Sequence, residues 1–137
     1  MLGSICNWPT NPEQRMQVWM ALQLLSTIYT NCHSVVVDED GEIFDEYERF
    51  IRREDSLAKW FISMSNEPRK FISRPRAHLE LGINFDPDDL KFLEVAINSP
   101  HRIIITGDSD FLTIRNEEQI RNLGIRILTV EEALREL

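Results

Sequence analysis

The stretch IIITGDSDFL sets two carboxylates, Asp108 and Asp110, directly after a run of β-branched residues and a glycine. Such a run reads as a buried strand, so the two acids stand where the chain leaves the sheet. Two further acids sit on apolar stripes. Glu46 lies one helical turn after Ile43 and one before Phe50, and Asp89 heads the stripe of Phe92, Leu93 and Ala96. Asp45, Glu48 and Arg49 are expected to point elsewhere, and Lys91 and Glu94 are expected on the outer side of their helix. A carboxylate on an apolar face is costly unless something compensates it. Three or four such groups brought together suit a hard divalent cation such as Mg2+, which prefers oxygen ligands and retains several waters. No His pair or Cys cluster competes for zinc. A cation held this way can activate water and steady the charge of a phosphodiester undergoing displacement.

Each of these residues also has a plainer use. Asp89 could satisfy amides in a first helical turn, and Asp108 with Ser109 could form a turn or a helix cap. Glu46 could pair with an arginine such as Arg102 or Arg126. Asp38 and Asp40 also follow a strand, but DEDG reads more simply as a turn. His33, His78 and His101 are isolated.

The elements that must position these acids can be read in turn. Asn11 or Thr10 caps a helix with Pro12 at its first position, running to about residue 31 with Met16, Trp19, Met20, Leu24 and Ile28 available for burial. Ser34 to Val37 reads as a short buried strand ended by an acidic turn at Gly41. The next helix carries Ile43, Phe44, Tyr47, Phe50 and Ile51 on one face, and another follows with Leu57, Trp60, Phe61 and Met64. Residues 65–85, interrupted by Pro68 and Pro75, read as irregular. Asp86 and Pro87 start a helix, 102–106 is a strand, and a helix from near Asn116 ends at Gly124. IRILT is the last strand, and Thr129 with Glu132 forms a capping box for the final helix. Alternation of this kind predicts a mostly parallel sheet with helices on both faces, with ligands beyond the carboxyl ends of the strands.

The length of 137 residues suits a single domain over 1–137, with 42% apolar and 28% charged residues. No apolar run is long enough to span a membrane, and the N-terminus does not read as a secretion signal. Cys6 and Cys32 are expected to be free thiols in a reducing cytoplasm. The net charge of −8 argues against indiscriminate nucleic-acid binding. A basic region nevertheless runs through Arg49, Arg52, Arg53, Lys59, Arg69, Lys70, Arg74 and Arg76. It could guide a polyanion or simply form a solvated helical face.

DPDDLKFLEVA, IIITGDSDFL and GIRILTVEEAL resemble the C-terminal half of PIN-domain proteins, and GEIFDEYERFI resembles that family's second helix. The resemblance covers about residues 33–137. It implies an α/β fold, a three-layer α/β/α sandwich with a mostly parallel central sheet. It also implies a Mg2+- or Mn2+-dependent endoribonuclease, with the toxin of a toxin–antitoxin pair among the roles found in the family. Carried over by position, Glu46, Asp89 and Asp108 would be the acidic-site members and metal ligands. Asp110 would be an auxiliary acid, and Thr106 would orient water or an acid. Single-stranded RNA would be steered by Arg69, Lys70, Arg74 and Arg76, and an antitoxin protein would be a partner.

The sequence departs from the family pattern at its start. The family's first strand, central in the sheet and ending in an aspartate, has no counterpart before Pro12. Either the chain starts downstream of the true start, or this member lacks that strand and acid. A missing central strand leaves neighbouring edges unpaired, which invites homo-oligomers or other association. The alternative function is therefore a non-catalytic PIN-like module that binds RNA or protein.

Overall fold

The computed structural model describes residues 11–51 and 55–137. Cys6, Arg52, Arg53 and the side chains of Phe50, Ile51 and Leu57 lie outside the described residues. The first helix, α1 (Pro12–Thr30), begins as its sequence predicts: the Asn11 side chain accepts a 2.8 Å hydrogen bond from the Glu13 amide, and Pro12 follows the cap. Ala21, Leu24, Leu25 and Ile28 are buried on one face. Met16 and Trp19, expected in the core, are instead 57% and 51% exposed, and Met20 is half-buried. At about 100° per residue, Met16 and Trp19 lie roughly opposite the Ala21–Ile28 face. A helix with apolar residues on several sides has more than one candidate inner face, and here packing against α3 and α7 selects it.

Strand β1 (Val35–Asp38) leads through a turn to α2 (Glu42–Ile51), then α3 (Asp55–Asn66) and β2 (Phe71–Arg74). Gly41 occupies that turn with a φ of +83°, a conformation that favours glycine. Strand β2 falls inside the stretch expected to be irregular. Only Phe71 and Ile72 give it a strand-like pattern, and its pairing with β1 is a tertiary event. Phe71 meets Phe44 and Phe61 with ring centroids 5.4 Å away in both cases, which joins α2, α3 and β2.

A short 3-10 turn (Pro87–Asp89) enters α4 (Leu90–Ile97), followed by β3 (Ile103–Ile105), α5 (Ser109–Ile114), α6 (Glu118–Asn122), β4 (Arg126–Leu128) and α7 (Val130–Glu136). The Thr129–Glu132 capping box forms in full, and Gly124 follows α6 with a φ of +72°.

Every described strand pairing is parallel, and the fold is mixed α/β. The described strands nevertheless form two separate two-stranded sheets, β1 with β2 and β3 with β4, where the sequence predicts one mostly parallel sheet. Val36 stands opposite Ile72, and Ile104 opposite Ile127. Helix α4 lies against both β1 and β3. Its Val95 packs with Val37 and Ile43, while Leu93 and Ala96 pack with Phe111, Ile120 and Ile127. Leu93 is fully buried, which contributes roughly 1.5–3 kcal/mol. No described helix is long and apolar enough to cross a membrane.

Candidate functional site

Three aspartates converge where β3 ends and α4 begins. Asp89, Asp108 and Asp110 each offer a carboxylate oxygen, and these oxygens lie within 4.8 Å of one another. Asp89 closes the 3-10 turn before α4. The plainer use of Asp89, capping a first turn, belongs instead to Asp86, whose side chain accepts a 2.9 Å hydrogen bond from the Asp88 amide. Asp89 itself makes no side-chain cap bond. Asp108 does serve as a cap: its Oδ1 accepts from the Asp110 amide at 2.8 Å and starts α5, a helix absent from the elements expected from sequence. Thr106 is buried at the end of β3, and its hydroxyl accepts from the Asp108 amide at 3.0 Å. Thr106 therefore fixes the turn that presents Asp108.

The electrostatics match this crowding. Partial burial holds the Asp89 carboxyl above its ordinary pKa, and the charges of Asp86, Asp108, Glu46 and Asp110 push in the same direction. Among the described residues no lysine or arginine pairs with Asp89, Asp108 or Asp110. Oxygen-only donors with exposed sides and room for retained water fit a hard divalent cation.

Glu46 stands apart from the three. It shares a cleft with Asp89, Thr106 and Asp108, but its own partner is Lys91 Nζ, 3.2 Å from Oε2. That oxygen is buried without an aligned hydrogen bond, so the contact is one of charge. Lys91, expected on the outer side of α4, thus faces α2, and neither Arg102 nor Arg126 takes the Glu46 role. Arg102 donates to the Leu123 carbonyl, and Arg126 pairs with Glu136. Next to Glu46, the Tyr47 phenol is pushed up to about 12, first by burial and then by the Glu46 charge.

A second acidic group was not legible in the sequence. Arg76 reaches Glu94 at 3.0 Å, Glu42 at 3.2 Å and Asp38 at 4.0 Å. Glu94, also expected outward, is 7% exposed and accepts a long 3.4 Å hydrogen bond from the Leu79 amide. Asp38, read as part of a turn, is instead the buried last residue of β1, and its Oδ1 caps α2 through the Ile43 amide at 3.0 Å. The only forward signal was Glu94 falling beside Leu93 and Val95, and that spacing does not name Arg76 as partner.

The expected basic face is reduced accordingly. Lys70 is buried and donates to the Tyr29 carbonyl at 2.7 Å, and Arg76 is engaged by its three acids. Lys70 is thus occupied inside the fold, and the half-buried Arg76 is held by the buried acids Asp38 and Glu94. Arg69 is exposed and Arg74 half-buried. Compared with known proteins, the chain matches no family model, no curated protein and no solved structure.

Proposed function

We propose that this chain is a PIN-like domain, a three-layer α/β/α sandwich, that hydrolyses RNA phosphodiesters in the cytoplasm with Mg2+ or Mn2+. The observation that carries this reading is the convergence of Asp89, Asp108 and Asp110 within 4.8 Å, with no lysine or arginine paired to them among the described residues. Asp89 and Asp108 would hold the metal, and Asp110 would add a ligand or position water. Thr106 would keep the Asp108 turn in register through its hydrogen bond. Glu46 enters as an outer acid, balanced by Lys91. The bound cation supplies an activated water and charge stabilisation at the phosphorus. From the expected basic segment, Arg69 and Arg74 would meet the RNA backbone. The toxin role, with an antitoxin as partner, follows from the sequence resemblance.

The test is cleavage of a fluorogenic single-stranded RNA by the purified chain with Mn2+ or Mg2+. Turnover should vanish with EDTA and fall at least about 100-fold in Asp89→Asn and in Asp108→Asn, as expected when a charge-stabilising group is lost. Metal-supported cleavage by both variants at the parent rate sinks the proposal.

A second reading, a non-catalytic module, is favoured by one observation: Asp108 already caps α5 and Glu46 is already paired, which thins the ligand set. It predicts saturable RNA or protein binding with no metal-dependent turnover.

A further inference from the structure

Among the described residues, the two sheets turn edges toward each other that pair with no further strand. A cleft of about 390 Å³ runs between them, lined by Val35 and Val36 of β1 and by Ile103, Ile104 and Ile105 of β3. No residue of β2 or β4 lines it, so it lies between the edges of β1 and β3 that pair with no other described strand. Helix α1 contributes Leu25 and Ile28 to its walls, and α4 contributes Phe92 and Val95. The isoleucines of β3 and both valines are only half-buried, although parallel strands with such sequences are normally covered on both faces.

The backbone pattern is directional. The Val35 and Glu39 amides donate to carbonyls beside β2, and the Thr106 amide donates to Leu128 of β4. Alternation in a parallel ladder therefore aims the Val36 peptide groups, and those of Ile103 and Ile105, away from their partners and toward the cleft. Glu46, Asp89 and Asp108 line the cleft too, and β3 runs toward this acidic end, since Asp108 follows its carboxyl end. At about 3.3 Å per residue, the edge of β3 offers roughly 10 Å, enough for three or four residues of an added strand. Two-stranded sheets are small for a stable fold, and one inserted strand would join them into a single parallel sheet.

We propose that this cleft is a strand-acceptor site for a partner polypeptide. The segment it fits is extended, uncharged and rich in valine and isoleucine over three or four residues. It enters parallel to β1 and β3 and is followed by a lysine or arginine. Backbone hydrogen bonds to both edges supply affinity, and the apolar walls exclude charge from the middle of the segment. Charge complementarity sets the exit: the segment leaves beside Asp89, Asp108 and Asp110, which have no cation of their own among the described residues.

The experiment uses the full chain in EDTA, so it does not depend on the metal reading. The probe is a fluorescent, C-terminally amidated peptide of alternating valine and isoleucine followed by two lysines. Saturable binding at micromolar concentration is expected by anisotropy. N-methylation of alternate peptide amides should weaken binding at least ten-fold, as should replacing the lysines by glutamates. Val36→Pro should weaken it similarly, because it removes an amide aimed at the cleft while the β2 pairing of Val35 and Glu39 is retained. The N-methylated peptides keep the test independent of how that variant folds. Absence of saturable binding overturns the proposal, and so does binding insensitive to N-methylation. Self-association in sedimentation that Val36→Pro abolishes would assign the cleft to a second copy and overturn it as well.

Discussion

Two groups of acids stand near the carboxyl ends of strands in this protein, and they are resolved in opposite ways. Around β1, Asp38, Glu42 and Glu94 share the Arg76 guanidinium, and two of the three acids are buried. At the end of β3, Asp89, Asp108 and Asp110 converge within 4.8 Å with no paired lysine or arginine among the described residues. Burial explains the difference. Acids withdrawn from water need a partner built into the chain, whereas acids left at an open edge remain available to an external positive group. The Arg76 group therefore holds the fold, anchoring the segment after β2 onto α4, and the aspartate group holds the candidate chemistry.

The sharpest way to break this contrast is to remove the built-in cation. Arg76→Ala leaves Asp38 and Glu94 buried and uncompensated, and should cost about 3 kcal/mol in urea denaturation. A loss below about 1 kcal/mol would place the Arg76 group with ordinary surface pairs. Supplying a cation to the other group should do the reverse. Mn2+ at about 100 times its Kd should raise stability by about 2.7 kcal/mol in thermal unfolding. The gain should persist in Glu94→Gln and disappear in Asp89→Asn and Asp108→Asn; a gain retained in all three would detach metal binding from the aspartates.

Smaller effects sharpen the same comparison. Without metal, Asp89→Asn should be slightly more stable than the parent at neutral pH. Burial and neighbouring acids raise the folded-state pKa of Asp89 above the ordinary 3.8, so its ionised form disfavours the fold. The advantage should shrink as pH falls through the raised value and be absent below about 3.8. Glu132 behaves oppositely. Its hydrogen bond from Arg115, with those from Thr129, holds its carboxyl at about 2 against an ordinary 4.5. The stability it contributes is fully present above pH 4.5 and is lost as pH falls toward about 2. Glu132→Gln should therefore be less stable than the parent at neutral pH, with the two stability curves meeting near the acid limit.

What sequence reading found and missed divides along the same line. The α1 cap at Asn11, the turn at Gly41 and the Thr129–Glu132 box all formed as read, because each is made by residues a few positions apart. The meeting of Asp89 and Asp108 was foreshadowed, since apolar spacing and a strand end placed both at one edge. Lys91 and Glu94, expected on the outer side of α4, face inward. On that face Lys91 meets Glu46 of α2 and Glu94 meets Arg76 of the segment after β2, and ion pairing makes such burial tolerable. Strand β2 was missed because its short segment has little pattern without β1 beside it. The basic segment lost Lys70 and Arg76 for a related reason: a charge is read as exposed until a buried acceptor for it is known.

The amino-acid order by itself determined most of the helices, the caps at Asn11 and Thr129 and the candidate acids, because these are set by residues a few positions apart. Only the tertiary structure decided which acids meet, which are neutralised and that the edges of β1 and β3 face each other across a cleft. Those outcomes depend on contacts between residues tens of positions apart, such as Asp38 with Arg76 and Glu46 with Lys91, whose geometry no local pattern encodes.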